Sequence, residues 1–267
     1  MNGVARWSKQ TLADGAWLRA DFGELSMVVL NAQQEWRIAR LKPGQMTLPA
    51  AGGLRDLPDG LDWERWEHAP GDTQFHFRPT YPTLPVVARP LSVLNLAPKG
   101  AVTFFIGIPA WIEIVADCEG NAVPLTAFPT IELSKTWHGT PLAGHLGFAL
   151  KTRARRVFEP AGWSEYEIAC PISLANDGEA MLPFNRLYLE TDHLSVFEHE
   201  GLLWSNAARI RSADAQAELS DITYAKRPAK PYDAAVEITP PRKGRARKST
   251  MRSAFNKVLD SFNPLER

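Results

Sequence analysis

Short runs in which apolar and polar residues alternate recur along most of the chain. In Gln74-Phe75-His76-Phe77-Arg78 the alternation is strict, which puts Phe75 and Phe77 on one face of a strand and His76 on the other. Residues 17–22, 25–30 and 35–39 form an opening set of the same kind. Residues 91–96 and 102–108 flank Ala97-Pro98-Lys99-Gly100, where Pro presets a turn φ and Gly accepts a positive one, so a hairpin is predicted there. Residues 112–115, 131–133, 146–150, 166–169, 187–190, 194–198, 203–210 and 219–224 continue the series. Turn chemistry at Asp117-Cys118-Glu119-Gly120-Asn121, Asn176-Asp177-Gly178 and Glu200-Gly201 separates them. Many short strands with almost no helical period between them predict an all-β fold of two β-sandwich-like domains, not βαβ units. Pro124 and Pro129 suggest a boundary that gives domains 1–125 and 126–224, with 225–267 left as a basic tail ending in a short helix.

Residues 40–73 interrupt the pattern. Pro43, Pro49, Pro58 and Pro70 are interspersed there with Gly44, Gly52, Gly53, Gly60 and Gly71, the composition of a long irregular connection. It is expected to pack on the first sandwich as a lid. Within it, Asp62 could cap a short helix that carries Trp63 and Trp66 on one face.

The tail changes the picture drawn from composition. Lys and Arg number 30 in the chain, as do Asp and Glu, so the formal charge is zero. Residues 225–267 hold eleven of the bases and four of the acids, a net +7, leaving 19 bases against 26 acids, a net −7, in residues 1–224. Residues 226–241 are Pro-rich and predict an extended linker. The basic run Arg242, Lys243, Arg245, Arg247 and Lys248 follows. Met251, Phe255, Val258, Leu259 and Phe262 then fall on one face of a helix that Ser249 or Thr250 can cap and Asn263-Pro264 ends. Cations beside an apolar stripe predict docking on an anionic membrane surface or a partner protein, through the basic run together with Phe255, Leu259 and Phe262. Nucleic acid is disfavoured, because the body is acidic and no aromatics interleave the basic run.

At 267 residues and 45% hydrophobic, the chain is ordinary globular material with enough length for a sizeable core. Its first residues lack the apolar run of a signal peptide. The longest apolar stretch, 101–112, is broken by Thr103, Gly107 and Pro109, so a cytoplasmic protein without a transmembrane helix is expected, possible association being peripheral. Cys118 and Cys170 are too few for a disulfide framework and are expected as free thiols.

Candidate chemistry is sparse. Residues 134–147 bring together Trp137, His138 and His145 around glycines, and the two histidines could ligate a metal, yet their spacing matches no ligand signature and a third ligand such as His193 or His199 would be required. The plainer alternative is a strand, a turn and another strand, with Trp137 in the core. No metal and no cofactor are expected. Lys151, Arg153 and Arg155, at two-residue spacing, would project from one face of a strand, with Thr152, Ala154 and Arg156 on the other. Such a row can bind phosphates, yet it also protects a sheet edge or is simply solvated, and the protective or solvated reading is favoured. Glu113, Glu132, Glu165, Glu167 and Glu198 leave room for a glycosidase-like acid/base pair, and Trp63 and Trp66 for a sugar-stacking platform. No nucleophile elbow, phosphate loop or dinucleotide fingerprint is present. These patterns favour a non-catalytic binding or accessory protein. The alternative is a carbohydrate-active or metal-dependent hydrolytic enzyme using residues 40–73 as its lid. Trp137, His138, His145, Arg153 and Arg155 are the candidate ligand site.

Ser134-Lys135-Thr136-Trp137, leading to Lys151-Thr152-Arg153-Ala154-Arg155-Arg156, resembles an uncharacterised family of prokaryotic β-rich proteins. The resemblance implies a β-rich fold and no particular activity.

Overall fold

The computed structural model describes residues 6–45, 47–71, 73–139, 144–212, 219–244 and 248–252. The fold is all-β, built from several sheets, and among the described residues the helical elements are single 3₁₀ turns. Its strands open with β1 (Gln10–Thr11), β2 (Ala16–Phe22), β3 (Leu25–Ala32), β4 (Glu35–Arg40), β5 (Ala51–Gly53), β6 (Glu64–Glu67) and β7 (Gln74–Thr80). There follow β8 (Val86–Pro90), β9 (Leu94–Leu96), β10 (Ala101–Pro109), β11 (Trp111–Cys118) and β12 (Asn121–Pro129). The next group is β13 (Lys135–His138), β14 (His145–Thr152), β15 (Glu167–Asn176), β16 (Leu182–Phe184) and β17 (Leu187–Leu189). The last is β18 (Val196–His199), β19 (Leu202–Ser205), β20 (Ala208–Ser212), β21 (Leu219–Tyr224), β22 (Val236–Thr239) and β23 (Lys248–Arg252).

Two cores organise these strands. In the first, the sheet β5-β2-β3-β4-β6 contributes Phe22, Met27, Trp36 and Ile38, and the sheet β1-β7-β11-β12 contributes Phe75, Phe77, Ile112 and Ile114. The strict alternation at 74–78 is therefore realised with Phe75 and Phe77 inward. In the second core, Val86, Leu150 and Leu187 of the sheet β13-β14-β8-β17 meet Phe104, Ile106, Ile168, Ile172 and Ile210 of a larger sheet. That sheet runs β22-β18-β19-β15-β20-β21-β23, with β10 also paired to β15.

The expected boundary at residue 125 does not divide the chain. β8 lies between β14 and β17, and β10 pairs with β15 in unbroken register from Ala101↔Ala175 to Pro109↔Glu167. Residues 86–109 thus belong to the second core, and the chain returns to the first for β11 and β12. The hairpin expected around Ala97–Gly100 is also corrected. Its turn forms, with Gly100 N donating to Ala97 O at 2.9 Å and Lys99 at φ 59°, but β9 pairs with β16 and β10 with β15. Asn176 Nδ2 donates to Leu96 O and Ala97 O and anchors this corner to β15. Turn chemistry reverses the chain locally; it does not choose the strand's partner. Residues 131–133 form no strand, and 203–210 is split into β19 and β20.

The connection 40–73 does cover the first sheet pair: Leu48, Leu57, Leu61 and Trp63 pack on Trp17, Val28 and Leu30 at its outer face. Its expected helix is instead β6, paired to β4 with Trp66 opposite Trp36. Trp63 packs inward while Trp66 is 37% exposed, so the two do not form one stacking platform.

The segment read as an extended linker is part of the fold. β22 pairs with β18, Ala235 is fully buried, and the Tyr232 ring stacks on Trp204 at 3.8 Å. Ser249, Thr250 and Met251, expected to start a helix, lie in β23, paired to β21. Phe255, Val258, Leu259 and Phe262 lie outside the described residues.

Candidate functional site

β14 runs outward from the second core. Its Leu150 is buried there, and Lys151 next to it is exposed. β13 pairs with β14 only over residues 145–148, so Lys151 faces Arg89 of β8 on one side and lies beyond the reach of β13 on the other. The strand ends at Thr152, whose Oγ1 accepts the Ala154 N–H at 3.1 Å, and Ala154 takes φ 45°. The chain then swings to the flank of β10, where Phe105 N donates to Arg155 O at 2.8 Å. Strict alternation through residue 156 fails at this bend. Even so, Lys151, Arg153 and Arg155 line one cleft of about 260 Å³, together with Phe105, Gly107, Thr152, Trp163 and Glu167.

Two glycines make room for its charged groups. A Cβ on Gly162 would lie 2.2 Å from Arg155 Nη1, which donates to Gly162 O at 2.8 Å. The Arg155 guanidinium also sits over the Trp163 ring, 5.5 Å from its centroid. Across the cleft, the Glu167 carboxyl rests on Gly107, where a Cβ would come within 1.8 Å of Oε1. Burial pushes the Glu167 pKa up, against the opposing pull of the Ser164 backbone N–H and the Arg155 charge. The Trp163 wall is supported from behind: its ring stacks on Phe158 at 5.1 Å, which meets Trp204 at 4.2 Å.

The cleft gathers three cations around one carboxylate, Glu167. Elsewhere some cations are matched, as Arg78 is by Glu113, Lys99 by Glu179 and Arg211 by Asp177, whereas Arg55, Lys135, Arg156 and Arg209 are in no ion pair among the described residues. Among the described residues, none of Lys151, Arg153 and Arg155 has a carboxylate within 4.0 Å, nor do the neighbouring Arg89 and Arg186. Another cleft, of about 440 Å³, mixes Arg40 and Lys42 with Asp62 and Glu64.

The expected ligand site is therefore split. Arg153 and Arg155 are in the cleft, whereas His138 and His145 face each other at the far end of the β13-β14 hairpin. Six residues of strand separate His145 from Lys151, roughly 20 Å. Both histidines contact Tyr188, at 5.0 and 5.8 Å between ring centroids, and burial raises the Tyr188 pKa to about 12. Trp137 is 44% exposed, not a core residue. Among the described residues no three His, Cys, Asp or Glu side chains are grouped as metal ligands. The other carboxylates singled out are engaged elsewhere: Glu113 with Arg78, Glu132 with Arg40, Glu165 with Arg6, and Glu198 with the Gly201 N–H.

The basic run begins inside the fold. Arg242 donates to Tyr81 O, Pro82 O and Thr191 Oγ1 and pairs with Asp192 at 3.0 Å; Lys243 reaches the same carboxylate at 2.7 Å. Burial disfavours the Asp192 charge, but the Lys243 hydrogen bond and the Arg242 and Lys243 charges outweigh it and hold its pKa down. Arg245 and Arg247 lie outside the described residues, and Lys248 enters β23.

Sequence reasoning missed Phe105, Gly107 and Trp163, and named Glu167 only as one carboxylate among several. Gly107 inside an apolar strand was the available signal, since an interior strand glycine marks close approach of another group.

The model of one protein family, Protein of unknown function (DUF432), matches residues 6–260. The chain belongs to this family. DUF432 spans both cores and the cleft, so the short resemblance around 133–156 extends to nearly the whole sequence. Comparison with curated proteins and with solved structures gave no match. No helix among the described residues is long and apolar enough to cross a membrane.

Proposed function

We propose that this protein binds a small anionic ligand without catalysis, in the cleft of Lys151, Arg153 and Arg155. The observation that carries the reading is that Lys151, Arg153 and Arg155 line one cleft against a single carboxylate, Glu167, whose charged form burial disfavours. Guanidinium forks suit tetrahedral and carboxylate anions, and a phosphate of charge about −1.5 to −2 offsets most of the local positive charge. Phe105 and Trp163 give the ligand apolar walls, and Glu167, once protonated, offers it a hydrogen-bond donor. Calorimetric titration with orthophosphate at low salt tests this. Binding is expected to weaken by about tenfold or more in Arg153→Gln/Arg155→Gln, each charge-assisted bond being worth roughly 1.5–3 kcal/mol, and to persist in Lys99→Gln. Absence of binding, or equal binding by the cleft variant, rejects the reading.

Charge segregation along the chain supports a second contact, in which the C-terminal run with Phe255, Leu259 and Phe262 meets an anionic membrane surface or a partner protein. Arg242 and Lys243 are held by Asp192 and are not counted in this contact. Co-sedimentation with anionic liposomes should fall on Phe255→Asp and with rising salt. Lipid binding that ignores Phe255→Asp removes the apolar anchor from this reading.

A further inference from the structure

The cationic surface does not stop at the cleft. Lys151 and Arg89 are direct partners on the parallel strands β14 and β8, so their backbones lie about 4.8 Å apart. Arg186 immediately precedes β17, whose Leu187 pairs with Ala88, which brings it beside Arg89. Like charges on adjacent strands oppose each other and destabilise a sheet unless something compensates them. Among the described residues no carboxylate lies within 4.0 Å of Lys151, Arg89 or Arg186. Both guanidiniums rest instead on neutral acceptors, Arg89 Nη2 donating to Thr136 Oγ1 at 3.2 Å and Arg186 Nη1 to Trp137 O at 3.4 Å.

Those acceptors show the shape of the face. Thr136 and Trp137 belong to β13, at the opposite edge of the sheet from β17, and His138 of β13 stacks on Tyr188 of β17. Contact between the outer strands of a four-stranded sheet requires it to curl, which brings β13 toward β17. Gly147 permits close packing on its floor, where a Cβ would lie 2.7 Å from Pro85 O. Arg186 is partly enclosed in this trough; burial, reinforced by the Arg89 charge, lowers its pKa. Glu190 and Asp192, just beyond β17, act on Lys243 and on the Tyr188 hydroxyl.

We propose that Arg89 and Arg186 form a second subsite continuous with the cleft through Lys151, and that the ligand carries phosphoryl groups in series, one in the cleft and at least one in the trough. This rests on the anion-binding reading of the cleft. Two guanidiniums match one further phosphoryl group in charge and in fork geometry. The same chemistry is offered by a free polyphosphate chain and by a nucleoside triphosphate.

Calorimetric titrations with orthophosphate, tripolyphosphate and adenosine triphosphate at one ionic strength test the proposal. Tripolyphosphate is expected to bind about tenfold or more tighter than orthophosphate, because the second contact becomes intramolecular. Arg89→Gln and Arg186→Gln should remove that gain while leaving orthophosphate affinity within about threefold. Arg186→Lys, which keeps the charge and loses the fork, should retain part of it and controls for folding, with circular dichroism of each variant alongside. Triphosphate bound more tightly than tripolyphosphate assigns the chain to a nucleoside; the reverse order assigns it to free polyphosphate. Orthophosphate binding without any gain from chain length, or a gain untouched by either Gln variant, overturns the second subsite and leaves the cleft standing. Failure of every anion to bind overturns both.

Discussion

Arg155 shows how much of the candidate site depends on the absence of a single carbon. Its guanidinium occupies the space in which a Cβ at position 162 would stand, held by Gly162 O and the Trp163 ring. The group in the way is the far end of a flexible side chain, so Gly162→Ala is expected to fold, with a melting shift within about 4 °C, while displacing the guanidinium. Orthophosphate affinity should then fall by about tenfold, the scale of one charge-assisted contact. Unchanged affinity in a well-folded Gly162→Ala protein would remove Arg155 from the site. Cys170 illustrates the opposite case, a reactive group type made inert by its surroundings. Burial pushes the Cys170 thiol up to about 12, and Ser205 Oγ donates to its sulfur at 3.0 Å, so it is a core residue and not a nucleophile.

Among the elements, β6 is the clearest case of context overriding local pattern. Spacing alone allows residues 62–68 a helix with both tryptophans on one side, but pairing with β4 gives Arg65 and Arg37 a shared carboxylate at Glu35. The hydrogen bonds from Arg65 and Arg37 lower the Glu35 pKa from 4.5 to about 2. A carboxylate with a depressed folded-state pKa stabilises fully above its unfolded value and loses that stabilisation as pH falls through the folded one. Melting temperatures followed from pH 6 to pH 2 should therefore show the wild type losing its advantage over Glu35→Gln between about pH 4.5 and 2. Parallel curves through that window would mean the clip contributes nothing. Turns were better read than partners. Glu119-Gly120 and Glu200-Gly201 both adopt positive φ and close two-residue hairpins, because such turns are specified by the residues inside them. The turn at Ala97–Gly100 forms equally well, yet joins strands of different sheets.

At the scale of the whole molecule, interleaving is the dominant fact. β8 to β10 cross to the second core before β11 and β12 return to the first, and β22 closes the edge of the large sheet beyond what looked like the folded body. The aromatic layer behind the cleft unites Phe158, Trp204 and Tyr232 from three separate stretches. A Pro-rich composition reads as a linker only while its contacts are unknown; here Tyr232 and Ala235 are anchored by that layer, and Arg242 and Lys243 by Asp192. The sequence by itself determined the all-β class, many of the strands, the turns at Glu119 and Glu200 and the cationic series at 151–155, since alternation, turn φ and charge spacing are properties of neighbours in the chain. Only the tertiary structure decided which strands pair, that Phe105, Gly107, Trp163 and Glu167 complete the cleft, and which cations are joined in ion pairs. Strand pairing and charge compensation join residues far apart in sequence, and a local pattern carries no record of the residue that will lie across from it.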